Sequence, residues 1–193
     1  MPWEKQFDSD AVLGKAMQAF WAKGYEATSM QDLVACMGIN RGSLYATFGD
    51  KRSLFLQALR RYDRLHRIVW VEGLCAGKKP KAAILAVFDG AIDTALRDGS
   101  RDGCLLVNTA QELSPHDPEV AAIVEAALAG MEAFFRDKVR AGKEAGEIPA
   151  GVDPAQAGRA LLGLLVGLRV LSRSRPEPAL LRALRQQAEE VVS

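Results

Sequence analysis

Cysteine and histidine are scarce in this 193-residue sequence, and their placement excludes several classes of protein. The three cysteines, Cys36, Cys75 and Cys104, are odd in number and widely spaced. They cannot make a complete disulfide framework or a CxxC zinc site, and they suit a reducing compartment. The two histidines, His66 and His116, lie far apart, and no HExxH, GxSxG, P-loop or GxGxxG pattern accompanies them. Glu112 and His116 are four apart, but Pro115 breaks any helix between them. No catalytic residue, metal ligand or cofactor is therefore expected. No apolar run is long enough to span a bilayer; the longest, Ala160 to Leu171, is interrupted by Gly163, Gly167 and Arg169 and reads as a buried helix. The opening MPWEKQFDSD carries no basic-then-apolar targeting pattern. A cytoplasmic protein with no membrane partner is expected. Net charge is only +1, so any nucleic-acid partner must be argued from local charge.

Strand-like alternation is also absent, and what remains is helical periodicity almost throughout. Asp8 is a candidate cap for a first helix that stops before Gly24 and carries Val12, Leu13, Ala16, Ala19 and Phe20 on one face. A second helix is predicted to start at Thr28, with Gln31 as its capping-box partner, and to stop at Gly38. Asn40 can cap a short third helix holding Leu44 and Phe48, and Gly49-Asp50 introduces a fourth with Leu54, Ala58, Tyr62 and Leu65 inward. Two short helices joined by Met37-Gly38-Ile39-Asn40 make a helix-turn-helix pattern, although a generic helical hairpin has the same spacing. After the breaker-rich stretch 73–80, helices are predicted at 81–97, 103–113, 117–145, 154–173 and 177–192.

Charge separates the two readings of that pattern. Between Asn40 and Arg67 there are seven basic residues (Arg41, Lys51, Arg52, Arg60, Arg61, Arg64 and Arg67) against Asp50 and Asp63. A basic segment containing the second helix of a helix-turn-helix is what phosphate neutralisation requires. Arg60, Arg61, Arg64 and Arg67 read more simply as a solvated helix face.

The stretch FWAKGYEATSMQDLVACMGINRGSLYATFGDKRSLFLQAL resembles the DNA-binding domain of the TetR (tetracycline repressor) family. The marks are Gly24-Tyr25, Thr28, Gly38, Leu44-Tyr45 with Phe48, and Lys51. Gly103-Cys104-Leu105 is similar, less specifically, to a branch of that family in which a Gly-Cys-Leu segment opens a ligand-domain helix. The resemblance implies an all-α fold: a three-helix DNA-binding domain over residues 1–53, linked through helix four to an effector-binding and dimerisation bundle over residues 54–193. It further implies a homodimeric regulator of transcription, a repressor released from palindromic double-stranded DNA by a small molecule or by thiol modification. An activator that needs no small ligand is the alternative within the fold, and an all-helical enzyme the alternative outside it.

On this reading Arg41, Gly42, Ser43, Tyr45 and Thr47 form the exposed face of the recognition helix, which enters the major groove. Arg41 can fork onto guanine O6 and N7 or lie along a phosphate. Gly42 leaves room for the groove, and Ser43 can bond a base edge or a phosphate. Tyr45 is expected to pack its ring on the domain and reach the backbone with its hydroxyl, with Thr47 beside it. Lys51 and Thr28, each at a helix N-terminus, are expected at phosphates.

The last two helices are the expected dimer surface, because AGRALLGLLVGLRVLSR is apolar nearly all round. Candidates for the ligand site are Trp70, Phe88, Leu105, Asn108, Gln111, Met131, Phe134 and Phe135. The apolar members read equally as plain core, whereas buried amides at Asn108 and Gln111 would need partners. Cys104, beside Gly103 at a helix start and near Arg101, is placed where a thiolate would be favoured, as a thiol sensor needs. An inert buried cysteine is its bland alternative.

Overall fold

The computed structural model describes residues 7–97 and 101–193 of the chain. It is built from helices α1 (Ser9–Lys23), α2 (Met30–Met37), α3 (Arg41–Phe48), α4 (Lys51–Tyr62), α5 (Trp70–Cys75), α6 (Pro80–Arg97), α7 (Leu105–Glu112), α8 (Pro118–Glu144), α9 (Pro154–Ser174) and α10 (Pro178–Val191). No strand occurs among the described residues. The Gly- and Lys-rich stretch after Cys75 is the turn from α5 to α6.

Local chemistry sets the ends of these helices. The Asp8 carboxylate accepts from the backbone N–H groups of Asp10 and Ala11, and Gly24 closes α1 with φ of 86°. At α2 the cap is Ser29 rather than Thr28, and its reciprocal partner is Asp32 rather than Gln31. Thr28 is instead fully buried, its hydroxyl donating to the Gly24 carbonyl at 2.6 Å. One residue decides the difference: only from position 29 does a hydroxyl face the Asp32 N–H. Asp117 and Asp153 cap the two longest helices, α8 and α9, each followed by proline in the first turn.

Two cores hold the helices. Phe20, Leu33, Met37, Leu44, Leu54, Phe55 and Leu59 fill the space under α1 to α4, and Leu105, Leu106, Val120 and Val124 of α7 and α8 belong to the same cluster. The second core gathers Phe88, Phe135, Val139, Leu161, Leu168, Leu181 and Ala188 from α6, α8, α9 and α10. By length and composition α9 is, contrary to the expectation from sequence, apolar enough to cross a bilayer. Here it lines the second core with Leu161, Leu165 and Leu168, and at Gly158 it approaches α8 so closely that a Cβ would lie 3.1 Å from the Glu132 carbonyl.

Between α4 and α5 the chain widens into a π-helical turn, Asp63–Val69. Such segments are rare and concentrate at functional sites. This one sits where the connecting helix passes the bundle, with Tyr62 and His66 stacked at 4.5 Å between ring centroids.

Candidate functional site

α3 is anchored by two residues and capped by one. Leu44 and Phe48 are buried, and the Asn40 side chain accepts from the Ser43 N–H at 2.8 Å. Arg41, Gly42 and Tyr45 are thereby exposed, with Ser43 and Thr47 half-buried on their flanks. Tyr45 differs from expectation: it is 43% exposed, because Leu44 and Phe48 already occupy the core face. Its hydroxyl lies 3.5 Å from Arg41 Nη2, and the guanidinium sits 5.7 Å from its ring centroid. These two side chains, one turn apart, order each other into a single polar surface. A Cβ at Gly42 would lie 3.3 Å from Asn40 Oδ1, so the glycine also gives the cap its room.

Lys51 opens α4, and its ammonium stands 4.3 Å from the Tyr25 ring centroid. The Asp50 side chain accepts from the Ser53 N–H beneath it. The buried hydroxyl of Thr28 is committed to Gly24, so the expected phosphate contact by its side chain is withdrawn. The arginines of α4 and its extension are solvated only in part: Arg60 and Arg64 are exposed, whereas Arg61 and Arg67 are half-buried. Arg52 forks onto Asp117 at 2.7 and 2.9 Å and reaches Glu119, which also accepts from Arg60. Arg61 pairs with Asp10 and Arg67 with Asp63. Among the described residues of this basic segment, Arg41, Lys51 and Arg64 have no ion pair. The positive charge left for an outside partner is therefore concentrated at α3 and the start of α4.

The second feature is a cleft enclosed by the connecting helix, α7, α8 and α9, with about 550 Å³ of atom-free space including its mouth. Trp70, Cys104 and Met131 line it, as expected. Six other candidates, Phe88, Leu105, Asn108, Gln111, Phe134 and Phe135, do not. Phe88 is fully buried and stacks on Phe135, which is also buried, while Phe134 packs against the second core under Lys138. Asn108 is half-buried and donates to the Asp102 carbonyl at 2.9 Å, and Gln111 is exposed. Both amides face an open groove between α7 and α9, because the inward positions of α7 are taken by Leu105, Leu106, Val107 and Thr109.

Tyr62, His66 and Arg169 also line the cleft, and sequence reasoning missed them in this role. The four-residue spacing of Tyr62, His66 and Trp70 was the available signal, a stripe on one side of the connecting helix. Burial pushes the Tyr62 phenol well above its usual range, and the neighbouring Cys104 adds to the effect. Burial first, and the Arg169 charge second, lower the His66 imidazole below its ordinary 6.5. Cys104 is the half-buried N-cap residue of α7, its own side chain making no cap bond. Gly103 has φ of 66°, and a Cβ there would meet Arg173 and the Arg169 carbonyl at 3.1 and 3.3 Å. Only glycine lets this loop lie against α9.

Family comparison covers both features. Residues 12–58 match the model of bacterial regulatory proteins of the tetR family, and residues 80–188 that of the tetracyclin repressor-like C-terminal domain. The chain is 42% identical over 146 residues to the HTH-type transcriptional regulator YezE of Bacillus subtilis, covering 75% of this chain and 74% of that one. It is 32% identical over 170 residues to the HTH-type transcriptional repressor ComR of Escherichia coli, covering 88% and 81%. Its fold matches a cysteine mutant of the TetR family regulator CifR in complex with a 26-base-pair operator duplex: TM-score 0.85, 28% identity, 97% of each chain. With a helix-turn-helix at one end and a helical bundle enclosing a cleft at the other, the chain belongs to the TetR family of DNA-binding transcriptional regulators.

Proposed function

We propose that the protein is a homodimeric repressor that reads a palindromic operator through α3 and is released by an event in the cleft. The observation that carries the reading is the exposed Arg41–Tyr45 pair, with Lys51 unpaired at the start of α4, on a segment whose other cations, Arg64 apart, are held in internal ion pairs. Arg41 reads base edges, while Ser43, Tyr45, Thr47 and Lys51 hold phosphates and Gly42 permits close approach. Repression is the sign carried by the name of ComR, and operator DNA is what CifR is bound to. We assign the DNA-reading part to residues 1–53 and the effector and dimer part to residues 54–193. The protein works in the cytoplasm and carries out no catalysis.

One short recognition helix is a weak reader, so two copies are needed. The outward face of α9 supports pairing: a Cβ at Gly163 or Gly167 would meet nothing within 4 Å, and Leu164, Val170 and Leu171 beside them are only half-buried. Leu180, Leu184 and Val191 continue that apolar surface on α10. A second copy would cover it.

Cys104 is the thiol through which oxidants or electrophiles would act. It lines the cleft along with Tyr62 and Arg169, and its loop touches the DNA-reading part through Trp21. The test is selection of random duplexes by the reduced protein at near-physiological salt. An enriched inverted repeat is expected; enrichment of nothing by folded dimer would overturn the reading. With that operator in hand, Cys104→Ser is expected to abolish release by oxidants. An unchanged response would remove the thiol from the mechanism.

A further inference from the structure

We propose that the cleft takes a small apolar carboxylate whose carboxylate group is held by Arg169. This deepens the reading of the cleft as the effector site and rests on it. Arg169 is half-buried on α9, with its guanidinium 5.1 Å from the Trp70 ring centroid. Among the described residues it forms no ion pair and no side-chain hydrogen bond. The other polar groups facing the cleft do not neutralise it. Arg67 is already paired with Asp63, Tyr62 is held as the neutral phenol, and His66 is disfavoured from charging by burial and by Arg169 itself. The remaining wall is apolar, including Val87, Leu106, Met131 and Leu165.

An uncompensated cation against such a wall is costly, and an incoming anion offsets that cost. The guanidinium lies over the Trp70 ring and its N–H groups make no hydrogen bond among the described residues, which leaves the fork that a carboxylate meets with two parallel bonds. A phosphate dianion would call for a second free cation, and the cleft offers none among its described lining residues. An organic cation would be repelled. The roughly 550 Å³ of atom-free space includes open solvent at the mouth, so the enclosed part is smaller and suits only a compact ligand.

The test needs no DNA, so failure of the operator reading and failure of this assignment are distinguishable. Benzoate and 3-phenylpropanoate, with their uncharged amides, are titrated calorimetrically into the wild-type protein, Arg169→Leu and Arg169→Lys. At least one acid is expected to bind about tenfold or more tightly than its amide, as a charge-assisted contact implies. Arg169→Leu is expected to erase that preference, and Arg169→Lys to keep part of it. Equal binding of acid and amide, binding of neither acid, or an acid preference that survives in Arg169→Leu would overturn the assignment. If Arg169→Leu does not fold, the acid-to-amide ratio in the wild type and in Arg169→Lys decides.

Discussion

Trp21 on α1 donates its indole N–H to the carbonyl oxygen of Asp102 at 3.1 Å, two residues before Cys104. At the other end of α7, the Glu112 carboxylate accepts from the backbone N–H groups of Glu26 and Tyr25 at 3.0 and 3.4 Å. One short helix thus touches the DNA-reading part at both ends while its first residues border the cleft. Movement of the 102–104 loop has a direct route to α1 and the turn into α2, beside the route through α4.

Trp21→Phe tests that connection. The ring remains to pack edge-on against Tyr62 and His66, now at 4.9 and 5.0 Å, while the N–H donor is lost. Stability in urea is expected to fall by about 1 kcal/mol, the net value of one such bond. Operator release by an oxidant or ligand should weaken in the same variant. A variant with full release and unchanged stability would leave α7 with no part in the coupling.

Much of this was legible in the sequence, for reasons tied to individual residues. Asp8, Asn40 and the glycines at 24, 38 and 49 mark helix ends because capping depends on residues close in sequence. The α2 cap was misplaced by one residue because Thr28 and Ser29 offer the same hydroxyl, and only the fold turns one of them inward. The ion pairs of Arg60, Arg61 and Arg67 are not marked in the sequence; for Arg60 and Arg61 the partners lie 59 and 51 positions away, beyond the reach of periodicity. The cleft was half legible. Helical period alone does not distinguish Phe88, which faces the core, from Trp70, which faces the cavity.

The exposed pair on α3 and the lysine opening α4 are expected to respond differently to truncation. Arg41→Ala should lose about 1–3 kcal/mol of discrimination at one base pair of each half-site. Lys51→Ala should weaken all duplexes alike and lower the salt slope of binding by about one. Competition binding against a set of single-base operator variants, at several salt concentrations, separates the two. Uniform weakening by Arg41→Ala would move that residue to a phosphate.

The clamp between Arg52 and Asp117 carries a pH signature. Asp117 is held down to about 2 from 3.8, first by the Arg52 guanidinium and then by the backbone N–H groups that it caps. A carboxylate lowered on folding stabilises the native state above its unfolded value, and that contribution fades as pH falls through the folded one. Asp117→Asn keeps a competent cap and removes the charge. The stability advantage of the wild type over this variant should be constant above about pH 4 and shrink between about pH 4 and 2. Urea midpoints across that range check it; a gap that stays constant down to pH 2 would rule the clamp out as its source.

His66 reports on the charge in the cleft. Its imidazole is lowered from 6.5, chiefly by burial and secondarily by Arg169, so the folded chain resists a proton that the unfolded chain accepts. The resulting stabilisation is complete above 6.5 and declines as pH falls from there toward the folded value. Proton NMR of the ring, assigned by comparison with His66→Gln, should give a midpoint below 6.5. Arg169→Leu removes the smaller of the two causes, so the midpoint should climb part of the way back and stop short of 6.5, because the burial remains. A carboxylate seated on Arg169 would cancel the same charge and shift the midpoint in the same direction without any substitution. A midpoint indifferent to Arg169→Leu would mean that the guanidinium points away from His66 in solution, and the cleft would then lack the charge on which its chemistry depends.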